Sequence, residues 1–244
     1  MENFTPDQAQ EPRETQIMLS AEEAAAIQAR FMTQVYGWMA GALAVSGGVA
    51  MLVGASSDLQ ELVFGNRLVF WAMLLLEIFL VGYIGARLMS MSASQAIGAF
   101  AAYSVLNGLT LGIVFMVYTA DSVGSVFFIT AGTFGAMSLY GYFTRTDLSS
   151  WGNLLFMALV GLFLASLVNL FWHNGTFYWI LSSIGVLLFV ALTAYDTQKV
   201  KAMAFVGLED EELDRKAAVW GALTLYLDFV NLFLYLLRFF GRRR

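Results

Sequence analysis

Seven apolar runs divide this chain, each at or near the length that crosses a lipid bilayer, and no soluble fold can hide them. They cover roughly residues 31–54, 68–88, 96–118, 123–143, 152–172, 177–199 and 217–240, where a spanning helix needs about 20 mostly apolar residues. In hydrocarbon every backbone N–H and C=O must find its partner within the segment, so each run is expected to be an α-helix. Of the 244 residues 59% are hydrophobic and 13% charged, against about 25% charged in soluble domains. The expected fold is an all-α membrane protein, with one domain of seven transmembrane helices over residues 20–244.

The remainder of the chain is sparse. Residues 1–19 carry Pro6 and Pro12 among polar and acidic residues without an apolar period, which predicts a disordered tail. The start is acidic and has no basic n-region, so no signal peptide is expected. Ser20 and Glu23 have the spacing of a capping box, predicting a short helix through Arg30 that leads into the first span. A net charge of −5 gives no basic footprint for nucleic acid, and the lack of cysteine removes thiol chemistry and thiolate metal sites. Glu209, Asp210, Glu211, Glu212 and Asp214 form an acidic loop that reads as a solvated face.

Basic residues orient the bundle. The side holding the N-terminus carries Arg13, Arg30, Arg87, Arg145, Lys199, Lys201, Arg215 and Lys216, whereas the opposite internal loops carry only Arg67. This bias predicts a cytoplasmic N-terminus. Seven crossings then send Arg238, Arg242, Arg243 and Arg244 outside, in conflict with the same rule; the alternative is a last segment that re-enters without crossing. Gly37 with Gly41, and Gly108 with Gly112, have the four-residue spacing of close helix packing. Trp151, Trp172, Tyr178 and Trp179 read as interfacial anchors, and His173 among them as structural.

Ionisable groups inside or at the edges of the spans are the candidates for function: Glu77 and Arg87 in the second, Asp196 in the sixth and Asp228 in the seventh. Each costs roughly 2.5–3.5 kcal/mol at a helix centre on insertion scales, so each is expected to face protein or water. Gly221, Thr224, Asp228, Asn231, Tyr235 and Arg238 recur at steps of three and four and so share one helix face. A polar stripe of this kind predicts an enclosed last helix, with Thr193 and Asp196 facing it across the interior. Asn107, Thr110, Ser166 and Asn169 are further candidates to line that interior. Counting from residue 217, Asp228 lies about 16 Å along its helix, while Asp196 is near the inner end of the sixth, so simple counting puts the acids at different depths.

Two late segments, Ala194-Tyr195-Asp196-Thr197-Gln198-Lys199 and Leu225-Tyr226-Leu227-Asp228-Phe229-Val230-Asn231-Leu232-Phe233, resemble the paired signatures of the transmembrane Bax inhibitor motif family, which includes bacterial membrane proteins. The resemblance runs from about residue 20 to the end. It implies two three-helix layers around a central C-terminal helix, residence in a bacterial inner membrane, and a pH-dependent calcium leak. The family's aspartate pair carries over to Asp196 and Asp228, and its second-helix arginine to Arg87; Glu77 matches less closely.

On that reading Asp196 and Asp228 titrate as a unit, and their shared proton acts as a latch contested by Arg87. Glu77, Thr193, Thr224, Asn231 and Tyr235 supply the supporting polar face. Calcium, as the transported ion, would touch Asp196 and Asp228 only transiently, because two carboxylates fall short of the usual six to eight oxygen ligands. No enzyme activity and no cofactor are expected, and the partners are the lipid bilayer and calcium ions. The alternative is an interaction protein that modulates a membrane-bound ATP-dependent protease or a stress response without transport. An intramembrane aspartic protease would also use two aspartates, but the glycine-containing motif of the presenilin type is absent around Asp228.

Overall fold

A computed structural model describes residues 20–244 except 173, 207 and 209. The expected disordered tail, His173 and Glu209 of the acidic run lie outside the described residues. The helices are α1 (Ala21–Ala55), α2 (Ser57–Phe64), α3 (Arg67–Arg87), α4 (Ala93–Val117), α5 (Ala120–Phe143), α6 (Gly152–Trp172), α7 (Gly175–Ala202) and α8 (Glu211–Phe240). Seven of them, all but α2, are long and apolar enough to cross a membrane.

Local signals set the ends. Ser20 and Glu23 do form the capping box, but no break follows at Arg30: the entry helix and the first span are one helix of 35 residues. Ser92 and Gln95 make a second capping box at the start of α4. The short α2 was not anticipated; Ser56 caps it by accepting from the Leu59 N–H. The acidic run also differs from expectation. Asp210 accepts from the N–H groups of Glu212 and Leu213, and Glu211, Glu212 and Asp214 occupy the first turn of α8. Acids there offset the positive helix end, so the last span starts as a capped helix six residues earlier than 217.

Lipid tails are as apolar as leucine, so these helices associate through close packing and polar contacts. Gly108 and Gly112 let α4 approach α1 so closely that a Cβ on either would strike Ser46, Val49 or Val53. Gly37 and Gly41 have nothing within 4 Å of such an atom and are exposed; the expected contact through this pair does not form. Helix α4 packs on α1 and α3, and α7 packs on α5 and α6, while α8 touches α1, α4, α5 and α7. Fifteen of its 30 residues are buried, against two of 21 in α3, so α8 is the centre of the bundle and α3 its rim.

Helix α8 also runs from one face of the molecule to the other. Near its start, Trp220 meets Gly85 at the end of α3. Beyond its end, Arg243 forms an antiparallel bridge with Tyr118, the Thr119 N–H donates to Arg242 O, and the Arg244 N–H donates to Val117 O. The chain therefore finishes at the far end of α4, on the face opposite the start of α1, which favours seven crossings over the re-entrant alternative.

Candidate functional site: a carboxyl pair on the central helix

Helices α7 and α8 are antiparallel neighbours whose register is set by two close approaches. A Cβ on Gly221 would meet Val200, and one on Gly185 would meet the Tyr235 ring. That register puts Asp196 level with Thr224 and Leu225, three to four residues short of Asp228, or about 5 Å of helix rise. Side-chain reach closes this distance, and each carboxyl group acts directly on the other. The larger offset expected from counting arose from treating residues 199 and 217 as level; in this register residue 217 lies beyond the end of α7.

The two acids differ in surroundings. Asp228 is 5% exposed and its Oδ2 is buried without a hydrogen-bond partner, whereas Asp196 is half-buried. Lys199, one turn along α7, is the cation that acts on Asp196; its ammonium lies 6.0 Å from the Tyr195 ring centroid. Arg87 is not brought to the pair. It ends α3, exposed; α3 packs on α4, and its last turns approach α8 at Trp220, two turns before Asp228. The expected competing arginine is thus replaced by a lysine on the acid's own helix.

The supporting polar residues are largely satisfied within their own helices. Thr193 donates to Phe189 O at 2.7 Å, Thr224 to Trp220 O at 3.0 Å and Asn231 to Leu227 O at 2.8 Å, the usual refuge of short polar side chains in a helix. Tyr235 stacks on Phe189, with centroids 5.7 Å apart. The stripe therefore does not wire the pair together.

Toward the face where α1 begins, a cavity of about 580 Å³ is lined by Arg145, Asp147, Tyr195, Gln198 and Lys199. Gln198 ties its wall together, accepting from the Leu148 N–H at 2.8 Å and donating to Thr146 O at 2.9 Å. Asp147 lies in the α5–α6 link, where the Ser149 backbone N–H, then its hydroxyl, holds the carboxylate below its ordinary range. This basin is bordered by Tyr195, which precedes Asp196 in sequence, and by Lys199, one helical turn beyond it.

Glu77 belongs to a different cluster. Its carboxylate accepts from Thr110 Oγ1 at 2.6 Å and Asn107 Nδ2 at 3.1 Å, and Tyr226 OH donates to Asn107 Oδ1 at 2.8 Å. Ser46 Oγ lies 2.6 Å from the same phenol. The network joins α1, α3, α4 and α8, so Asn107 and Thr110 serve Glu77, not the aspartates. Tyr226 and Ser46 were missed in sequence; the one available signal was a tyrosine hydroxyl within an apolar run, which needs a partner when buried. Ser166 and Asn169 lie elsewhere again, on a cavity near the opposite end of α8.

The family described as "Inhibitor of apoptosis-promoting Bax1" matches residues 28–244, which includes both helices of the carboxyl pair. The chain belongs to the Bax inhibitor family. Among similar Bax inhibitor relatives are the inner membrane protein YbhL of Escherichia coli, 49% identical over 88% of this chain and 92% of its own length. An uncharacterized protein of Borreliella burgdorferi is 42% identical over 89% and 94%, and an uncharacterized membrane protein of Streptococcus pyogenes 33% over 87% and 93%.

Proposed function

We propose that this Bax inhibitor family protein is a pH-responsive calcium leak whose gate is the Asp196–Asp228 pair. The observation that carries the reading is a buried carboxyl group on the central helix beside a second acid, Asp196, whose helix lines a polar basin through Tyr195 and Lys199. Two facing carboxyls exchange a proton with solvent as a unit. Asp196, half-buried beside Tyr195 and Lys199, is the member through which solvent protons arrive. A proton held between the acids ties α7 to α8; without it, repulsion drives the helices apart and biases α8 between two arrangements.

Calcium suits the opened path because it prefers oxygen ligands, and at most four carboxylate oxygens against the usual six to eight make each contact brief. The protein performs no chemical step on this reading and holds no resident cofactor. The face rich in lysine and arginine supports a cytoplasmic N-terminus, and the likeness to YbhL supports a bacterial inner membrane. The test is calcium entry into proteoliposomes across pH for wild type, Asp196→Asn and Asp228→Asn. Each variant is expected to flatten the pH profile. A profile unchanged in both overturns the latch, and a wild type that passes no calcium at any pH favours the second reading, a partner-binding regulator of a membrane protease.

A further inference from the structure

At the face where the chain ends, α6, α7, α8 and residues 241 and 243 line an open cavity of about 700 Å³ that borders neither Asp196 nor Asp228. Two arginines border it. The Arg238 guanidinium lies 5.2 Å from the Tyr178 ring centroid and 4.7 Å from that of Tyr235, and Arg243 interacts with the hydroxyls of Tyr118 and Tyr178, which push its pKa further up. Among the described residues neither arginine is paired with a carboxylate, and no acid lines the cavity. On the opposite wall Ser166 Oγ and Asn169 Oδ1 are buried without hydrogen-bond partners. Positive charge without a counter-ion, beside an unpartnered hydroxyl and an unpartnered carboxamide side chain, describes a site for an anion that brings further polar groups with it.

Depth narrows the ligand. Arg238 is in the last turn of α8, and exposed Trp172 and Trp179 ring the same level, the height at which such rings meet lipid head groups. Ser166 and Asn169 sit in the last two turns of α6, deeper toward the hydrocarbon. A phospholipid has this order of groups, phosphate at the surface and ester carbonyls below it. We propose that the cavity is a binding site for an anionic glycerophospholipid such as phosphatidylglycerol. Its phosphate is held by Arg238 and Arg243. Its ester oxygens accept from the Ser166 hydroxyl and from the Asn169 carboxamide, turned so that its NH₂ faces the lipid.

Native mass spectrometry of the full chain in detergent, with equal phosphatidylglycerol and phosphatidylcholine, tests this. Wild type is expected to retain one phosphatidylglycerol in preference, and the double variant Arg238→Gln/Arg243→Gln to lose occupancy by about tenfold or more. Ser166→Ala/Asn169→Leu removes no charge and is expected to weaken retention several-fold; it decides the matter if the arginine variant does not fold. Retention unchanged in the folded variants overturns the proposal. So does equal retention of the two lipids, and so does displacement of phosphatidylglycerol by millimolar inorganic phosphate, which marks a free-anion site.

Discussion

Asp228 is buried, and unless it shares a proton with Asp196 one of its carboxylate oxygens has no hydrogen-bond partner, a penalty of about 1–3 kcal/mol. Asp228→Asn removes the charge while keeping the shape. Beyond flattening the flux profile, it is expected to make unfolding in mixed micelles less dependent on pH, as a denaturant titration at several pH values would read. Asp147 is the control. Its depressed carboxylate stabilises the α5–α6 turn above the unfolded value of about 3.9 and loses that effect as pH falls through the lower folded one. Asp147→Asn should therefore leave the flux profile near neutrality intact, although it lines the same basin. Tyr226→Phe strands Asn107 Oδ1 and should cost about 1–2 kcal/mol in micelle unfolding. Charges were legible in the sequence because each interrupts an apolar run. Tyr226 and Ser46 were not, since a tyrosine or serine within a spanning helix reads like any packing residue until its partner on another helix is known.

For the helices, glycine spacing alone did not say which pairs pack. Gly108 and Gly112 lie in the α1–α4 interface and Gly37 and Gly41 face outward, yet all four sit in apolar runs at the same interval. Gly112→Ala must push Val53 aside and is expected to destabilise by about 1–3 kcal/mol, whereas Gly41→Ala meets open space and should gain up to about 1 kcal/mol from helix propensity. Thermal or denaturant midpoints of the two variants, measured side by side, check the contrast. The enclosed character of α8 was legible from its polar stripe. Its true start at Glu211 was hidden by a run of acids that reads as loop when the Asp210 cap is overlooked. The register against α7, which decides whether the aspartates meet, depends on Gly185 and Gly221 contacting particular side chains, and no single-helix periodicity contains that information.

The whole chain lacks cysteine, so single cysteines report topology cleanly. Glu22→Cys and Arg244→Cys are expected to react with a membrane-impermeant maleimide from opposite sides of sealed vesicles; reaction from the same side would refute seven crossings. The count of spans was readable from hydropathy, but the side reached by the basic C-terminus was not, because the charge rule and the crossing number disagreed. The contacts of residues 241–244 with the α4–α5 link put that end on the face opposite the start of α1.

Those same contacts have a mechanical meaning. A rod of 30 residues, about 45 Å long, that is fastened at one tip cannot slide along its axis; it can only swing. On the proposed gating, the Val117, Thr119 and Tyr118 attachments make the C-terminal tip of α8 a fulcrum, with Asp228 twelve residues, or about 18 Å, from it and the longer free arm beyond. Small forces between two carboxyls then act with leverage, and cutting the fastening at residues 241–244 would turn a hinged lever into a loose piston.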